Sequence, residues 1–267
     1  WLIAIAISIY FYSACGKFDY QFCHTVGTDF VQAIAPTTLA LQSDQAAFLA
    51  LTLPAGEIVL ALLLMFSRTR QAGAVLAVAM HGVLLLLLGP FGMNHSHGVL
   101  VWNGLLAIQA LLLFFPKTAT VKETQRSWKW TVGPVLMLAL VLPCAERWGY
   151  WDHWPSWALY SPHNSRVDLE VHEVAIEQLP VSLHPFATDD DGDRWHSIDL
   201  NQWSLQQRRV PIYPQARYQL ALSGAIAFGL ASNDAIRAKE LGVSDRFRGT
   251  RSEQFLIGVK EITQSVK

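Results

Sequence analysis

Residues 46–66 read AAFLALTLPAGEIVLALLLMF, and this stretch decides the fold class. It stays apolar for the roughly 20 residues that a helix needs to cross a bilayer, and it holds one ionisable group, Glu57. Working outward, residues 72–90 and 98–115 read the same way. Residues 1–15 give a first, shorter run. Residues 130–146 give a fifth, short and flanked by aromatics. The chain has 267 residues, 52% hydrophobic and 15% charged, whereas a soluble domain averages about a quarter charged. The deficit is concentrated in residues 1–116, and residues 146–267 have an ordinary composition. The expected fold is therefore mainly α: a polytopic transmembrane helix bundle of about five spans over residues 1–149, then an α+β extramembrane domain over residues 150–267.

Within the second half, residues 166–173 alternate Val167, Leu169 and Val171, a strand pattern. Residues 195–205 suggest another short strand. Residues 217–232 are apolar for too short a run to span, and read as a buried or interfacial helix. The tail after Asn233 is polar and reads as broken helix. Between the first two spans, Phe18, Phe22, Val26, Phe30 and Ile34 recur every four residues. They give residues 17–45 one apolar helical face, expected to lie along the membrane interface as an interfacial segment or to pack on the bundle.

Orientation follows from Lys and Arg. Arg68 and Arg70 follow the second span; Lys117, Lys122, Arg126 and Lys129 follow the fourth. The intervening loops hold only Lys17. Alternation puts the Arg68 loop in the cytoplasm, and Lys17, His95, His97 and the C-terminal domain outside it. The expected location is the bacterial inner membrane, with the C-terminal domain extracytoplasmic. Trp128 and Trp130 would mark the inner interface, and Trp148, Trp151, Trp154 and Trp157 the outer one or domain packing. With a net charge of −1, nucleic acid is not an expected partner. The lipid bilayer and other membrane protein subunits are. Gly73, Ala77 and Gly82 offer a small-residue face for close helix packing.

An ionisable group inside a span is costly and signals function by default. Glu57 and His81 are two, each roughly 14–16 Å from the outer end of its span at 1.5 Å per residue. Glu57 is expected within hydrogen-bond reach of His81, with Gln109 and Asn103 as alternative partners; the same pair also suits simple helix packing. Lys17 closes the first span, where a lysine either snorkels to the headgroups or acts as a base. Lys17, Glu57 and His81 are the candidate catalytic residues. His95 and His97 lack a third ligand. In residues 189–193, DDDGD, Asp189, Asp191 and Asp193 fit the first positions of a calcium loop, but Arg194 and Leu200 fall where Gly and Glu are needed. Three cysteines without a CxxC speak against a thiolate zinc site. No metal site is expected, and the cofactor stays unknown. Cys15 and Cys23 either pair or stay free.

The run Tyr10-Phe-Tyr-Ser-Ala-Cys-Gly-Lys-Phe-Asp19, then Leu53-Pro-Ala-Gly-Glu-Ile58, Arg68, Arg70 and the mid-span His81, resembles the DoxX/MauE-type membrane proteins. It also resembles the related HTTM module of the vitamin K-dependent gamma-carboxylase-like proteins. The resemblance covers roughly residues 1–116. In the carboxylases a similar lysine motif lies in the lumenal catalytic region. That implies such a role for Lys17 and matches His81 to a membrane histidine. The chain has fewer spans than the carboxylases. MauE-like proteins are associated with redox maturation of partners, but a CxxC is missing here. Residues 157–162, WALYSP, are similar to tails of HTTM-like bacterial proteins. The expected function is an accessory or structural subunit of a membrane assembly. The alternatives are a membrane enzyme with acid–base or carboxylase-like chemistry at the outer face, or a thiol–disulfide maturation factor.

Overall fold

The computed structural model describes residues 1–35, 41–115, 129–159, 161–189 and 192–265. Lys117, Lys122, Arg126 and Trp128 lie outside the described residues, as do Tyr160, Asp190 and Asp191. The chain is mostly helical and divides into two compact units. One comprises Trp1–His163 with Arg246–Gly249; the other comprises Asn164–Asp245 with Thr250–Lys267.

In the first unit, α1 (Leu2–Lys17) leads into the short helices α2 (Tyr20–His24) and α3 (Val26–Ile34). Then come α4 (Ser43–Ala50), α5 (Thr52–Met65), α6 (Arg70–Leu88) and α7 (His97–Phe114). Among the described residues, three helices are long and apolar enough to cross a membrane: Ser43–Met65, Arg70–Leu88 and His97–Phe114. At 1.5 Å per residue even the last covers roughly 27 Å, close to a hydrocarbon core. The first of them is α4 and α5 taken together, and Leu2–Lys17 is a shorter apolar helix. Of the expected interfacial face, Phe22 and Phe30 are buried but Ile34 is exposed.

Residues 130–146 do not form the single regular helix that their composition suggests. They fold as α8 (Lys129–Leu136), a π turn over Met137–Val141 and a 3-10 turn over Leu142–Trp148. Pro134 lies inside α8 and Pro143 opens the 3-10 turn. Each lacks the amide that would continue the hydrogen-bond ladder.

Helix α1 packs on α5, α5 on α6 and α6 on α7. Their shared core is Ala6, Tyr10, Leu60, Ala61, Leu64, Ala74, Ala77, Ala110 and Phe114. Lipid offers no hydrophobic drive between helices, so close backbone approach does the work. A Cβ on Gly73 would stand 3.0 Å from Leu63 Cβ and from the Leu64 backbone nitrogen. Ala77 is fully buried, whereas a Cβ on Gly82 meets nothing within 4 Å. The small-residue face is therefore Gly73 and Ala77, without Gly82. The helical hairpins close with matched caps. Thr69 Oγ1 donates to Leu63 O at 2.8 Å and Arg70 Nε to Leu64 O at 3.1 Å, satisfying carbonyls at the end of α5. At the far end of α6, Met93 N and His95 N donate to Leu87 O and Leu88 O. Gly92 presses so closely on Leu87 O that no side chain fits there.

The second unit is built on an antiparallel sheet of β1 (Arg166–His172), β2 (Ala187–Thr188), β3 (Trp195–Ile198), β4 (Ile236–Leu241) and β5 (Glu253–Ile257), in the order β2-β3-β1-β4-β5. Strand β1 buries Val167, Leu169 and Val171, the alternation read from the sequence. The expected strand over residues 195–205 stops at Ile198. Asp199 then caps α9 (Leu200–Arg208), its side chain accepting from Gln202 N at 2.8 Å. Residues 216–228 form α10 (Ala216–Phe228), which buries Ala216, Leu220, Ser223 and Ala227 and packs on β1 and β4. It is a buried helix of this unit, as its short apolar run implies. The tail differs from expectation: residues 236–241 and 253–257 are strands, and only α11 (Gly258–Ser265) is helical. Pairing of β4 with β1 across Arg166↔Leu241 to Val171↔Ile236 overrides the weak local preference of RAKEL.

Replacing Ala77 with Leu should overpack the α5–α6–α7 core and cost about 1–3 kcal/mol. Gly82→Ala should be neutral. Thermal unfolding of the two variants in the same detergent checks the contrast, and equal midpoints would remove the close contact at Ala77.

Candidate functional site

Lys17 is the last residue of α1, and its flexible stem carries the ammonium to α5. Nζ donates to Glu57 Oε1 at 2.5 Å and to Ser13 Oγ at 2.8 Å. The two side chains are only 10% and 11% exposed. At that burial each charge needs an opposite partner close by, and each supplies it to the other. Pro54 stands in the first turn of α5, where its missing amide breaks no helical bond.

A second polar chain runs beside the pair. Asn103 Nδ2 donates to Val99 O at 2.9 Å, which turns its Oδ1 toward His81 Nδ1, 2.9 Å away. An amide oxygen only accepts, so His81 carries its proton on Nδ1. That leaves Nε2 to accept from the Tyr10 hydroxyl at 3.0 Å. Tyr10 on α1, His81 on α6 and Asn103 on α7 thereby join three helices through one imidazole.

Tyr10, Lys17, Glu57, His81 and Asn103 all line one cleft, with Trp102 and Trp157. The structure thus brings the three expected catalytic residues to one cleft, in a different pairing. Glu57 takes Lys17 as its partner, while His81 takes Tyr10 and Asn103. The sequence reading kept Lys17 as a candidate base at the outer boundary but paired Glu57 with His81 by depth alone. It therefore missed that the side chain of Lys17 reaches inward. Gln109 does not line the cleft. Glu57 Oε2 is buried and has no hydrogen-bond partner among the described residues.

Tyr10 was not singled out from the sequence. The signal was a hydroxyl seven residues before Lys17, two helical turns along the same face. Nor was a cluster on the irregular segment that follows α8. Glu146 Oε1 lies 2.7 Å from His153 Nδ1 and 3.0 Å from His163 Nε2. All three are buried or nearly so. Glu146 is the last residue of the expected fifth span, and the structure places it with Arg147 on the 3-10 turn outside the membrane-length helices. Burial there would raise its carboxyl, but the hydrogen bonds from His153 and His163 outweigh it and hold it down at about 2. Next to this turn, Arg147 bonds Asp19 at 2.8 Å, and Asp19 caps α2 through Gln21 N.

The other candidate ligands stay apart. His95 and His97 are exposed, and among the described residues the Glu146 cluster is the only group of three in metal-binding proximity. Asp189 accepts from Gly192 N and Asp193 from Trp195 N, as a solvated acidic turn does. Cys15, Cys23 and Cys144 are all free. Burial pushes the Cys23 thiol up, away from the thiolate that exchange chemistry needs.

A family model described as Methylamine utilisation protein MauE matches residues 1–95. The MauE-like stretch contains Lys17, Glu57 and His81 and ends before Asn103. With the three apolar helices it identifies an integral membrane protein. No curated protein and no solved structure matches the chain.

Glu57→Gln should leave the Lys17 ammonium buried and uncompensated, at a cost of about 3–5 kcal/mol. A Lys17→Met/Glu57→Leu double variant should recover most of that loss. Unfolding midpoints of wild type and both variants in one detergent check the coupling; strictly additive losses would show that the two charges do not depend on each other.

Proposed function

We propose that the chain is an accessory subunit of a membrane assembly. Its MauE-like helical module seats it in the bilayer and against other subunits, and the β-containing second unit stands on the extracytoplasmic side. One observation carries this reading: the polar groups inside the bundle are spent on each other. Lys17 is neutralised by Glu57, and His81 is saturated on both nitrogens by Tyr10 and Asn103. Groups held this way fix helix register and leave no activated nucleophile. The MauE match, to a membrane family, is consistent with a role in support of other proteins. Kinship with DoxX-like proteins and the HTTM module rests on the motif residues alone.

A second reading has its own observation. Glu57 Oε2 is a buried, unpartnered acceptor on a cleft that also holds Lys17 and His81. Such a place suits acid–base work on a small polar molecule, with Lys17, Glu57 and His81 as the working groups. Glu57→Asp separates the two. It keeps the charge but withdraws it by one methylene, so an acid–base site loses the cellular activity while the assembly stays whole. A register-fixing pair instead weakens the assembly and the activity together.

Two measurements test the main proposal. Extraction from native membranes in a mild detergent should give a particle larger than the chain alone, with co-isolated subunits in fixed ratio. A monodisperse single chain would overturn it. Trypsin added to sealed right-side-out vesicles should cut at the exposed Arg194 of the second unit, and complete protection there would reverse the topology.

A further inference from the structure

Among the described residues, the segment from Glu146 to His163 has little regular structure and buries more polar groups than apolar ones. It starts in the 3-10 turn that ends at Trp148 and contains one further short 3-10 turn, Trp154–Ser156, among the described residues. His153, Ser156, Ser161 and His163 are all buried, against Ala158 among the apolar residues. Two backbone reversals shape it. Gly149 sits at φ +76, where glycine is at ease. Trp157 sits at φ +61, a conformation that a bulky side chain rarely adopts. An irregular, strained loop with so little apolar burial needs something else to close it.

What it closes around is one point. His153 Nδ1 comes from the residue before the 3-10 turn and His163 Nε2 from ten residues further on. Both aim at Glu146 Oε1, at 2.7 and 3.0 Å. His163 Nε2 is also 3.2 Å from Oε2. The two rings stand edge to face with centroids 5.2 Å apart, so their nitrogens converge while their faces do not stack. The three ligand atoms lie within 4.8 Å of one another. Ligands of a tetrahedral ion with bonds of about 2.0–2.1 Å stand roughly 3.3 Å apart. The two carboxylate–imidazole distances, 2.7 and 3.0 Å, are shorter than that, so an ion between these atoms requires the carboxylate to draw back by a few tenths of an ångström. The side chains are 11%, 4% and 1% exposed, so an ion there is shielded from bulk water.

We propose that Glu146, His153 and His163 bind one zinc ion, which cross-links the segment they enclose. Two imidazoles and one carboxylate are a borderline donor set that suits zinc over the hard cations magnesium and calcium. Three protein ligands leave a fourth position for water. Binding couples to closure of the loop, because the ligands are separated in the chain and meet only when it is folded. This site is separate from the Lys17–Glu57 cleft, and the inference does not depend on the function proposed above.

The test uses the full chain in detergent micelles, purified through a tag without histidines. Metal analysis of the isolated protein should find about one zinc per chain. After stripping with a chelator and dialysis, ZnCl2 should bind one-to-one and raise the unfolding midpoint. Cobalt(II) in its place should give the intense visible bands of a tetrahedral site. His153→Gln and Glu146→Gln should weaken zinc by more than the roughly 10–100-fold that second-sphere changes cost. Absence of zinc from the isolated protein together with no response of the stripped wild type to ZnCl2 would overturn the proposal. So would equal zinc binding by wild type and a folded His153→Gln/Glu146→Gln double variant. Because the wild-type titration stands alone, a variant that fails to fold does not rescue the idea.

Discussion

A lysine and a glutamate that only burial together makes tolerable set the register of the bundle. Lys17 closes α1 and Glu57 sits within α5, and their contact is 2.5 Å. Sliding one helix past the other by a single residue moves it 1.5 Å and breaks such a bond. Register between α1 and α5 is thus specified by a charge pair, where packing of alanines and leucines alone would allow several alignments. The stability of this arrangement is conditional: removing both charges costs far less than removing one.

The other helix contacts are locked by smaller devices of the same kind. Between α5 and α6 the lock is steric, with Gly73 against Leu63 and Leu64. Between α6 and α7 it is the His81–Asn103 hydrogen bond, and between α1 and α6 the Tyr10–His81 bond. Each lock is a single polar or small residue set in an otherwise uniform apolar surface. That is where specificity has to come from when lipid and side chains are equally oily. The same residues line the cleft, so the features that fix the fold and those that would meet a ligand cannot be varied separately.

The second unit solves its folding problem in the ordinary aqueous way. Its sheet buries alternate residues of β1 and β4 under α10 and α11 in one core, from Leu169 and Ile236 to Leu220 and Ile262. Charges stay on the other face: Arg237 bonds Glu170 and Asp193 and stacks 4.4 Å over the Trp195 ring. This side of the sheet is held by cross-strand pairs, each worth a fraction of a kcal/mol to about one.

Hydropathy along the chain by itself marked residues 46–66, 72–90 and 98–115 as membrane-length helices, because the cost of unpaired backbone in lipid leaves no other choice, and the structure places helices at Ser43–Met65, Arg70–Leu88 and His97–Phe114. Hydropathy also marked Glu57 and His81, since an ionisable group in an apolar run stands out without any structure. Alternation was enough to place β1. Only the tertiary structure decided who pairs with whom. Lys17 reaches inward to Glu57 because α1 packs on α5, and His81 finds Asn103 because α6 packs on α7, while Tyr10 reaches His81 across the shared core. The strands β4 and β5 depend on partners in β1 that are distant in sequence, so RAKEL and EQFLI carry no strong signal of their own. Glu146, His153 and His163 met for the same reason. Their spacing follows no helical or strand period, and a backbone bent through Gly149 and Trp157 brings them to one point. Local sequence encodes the period and polarity of an element, whereas partner choice is a property of distances that exist only once the chain has folded.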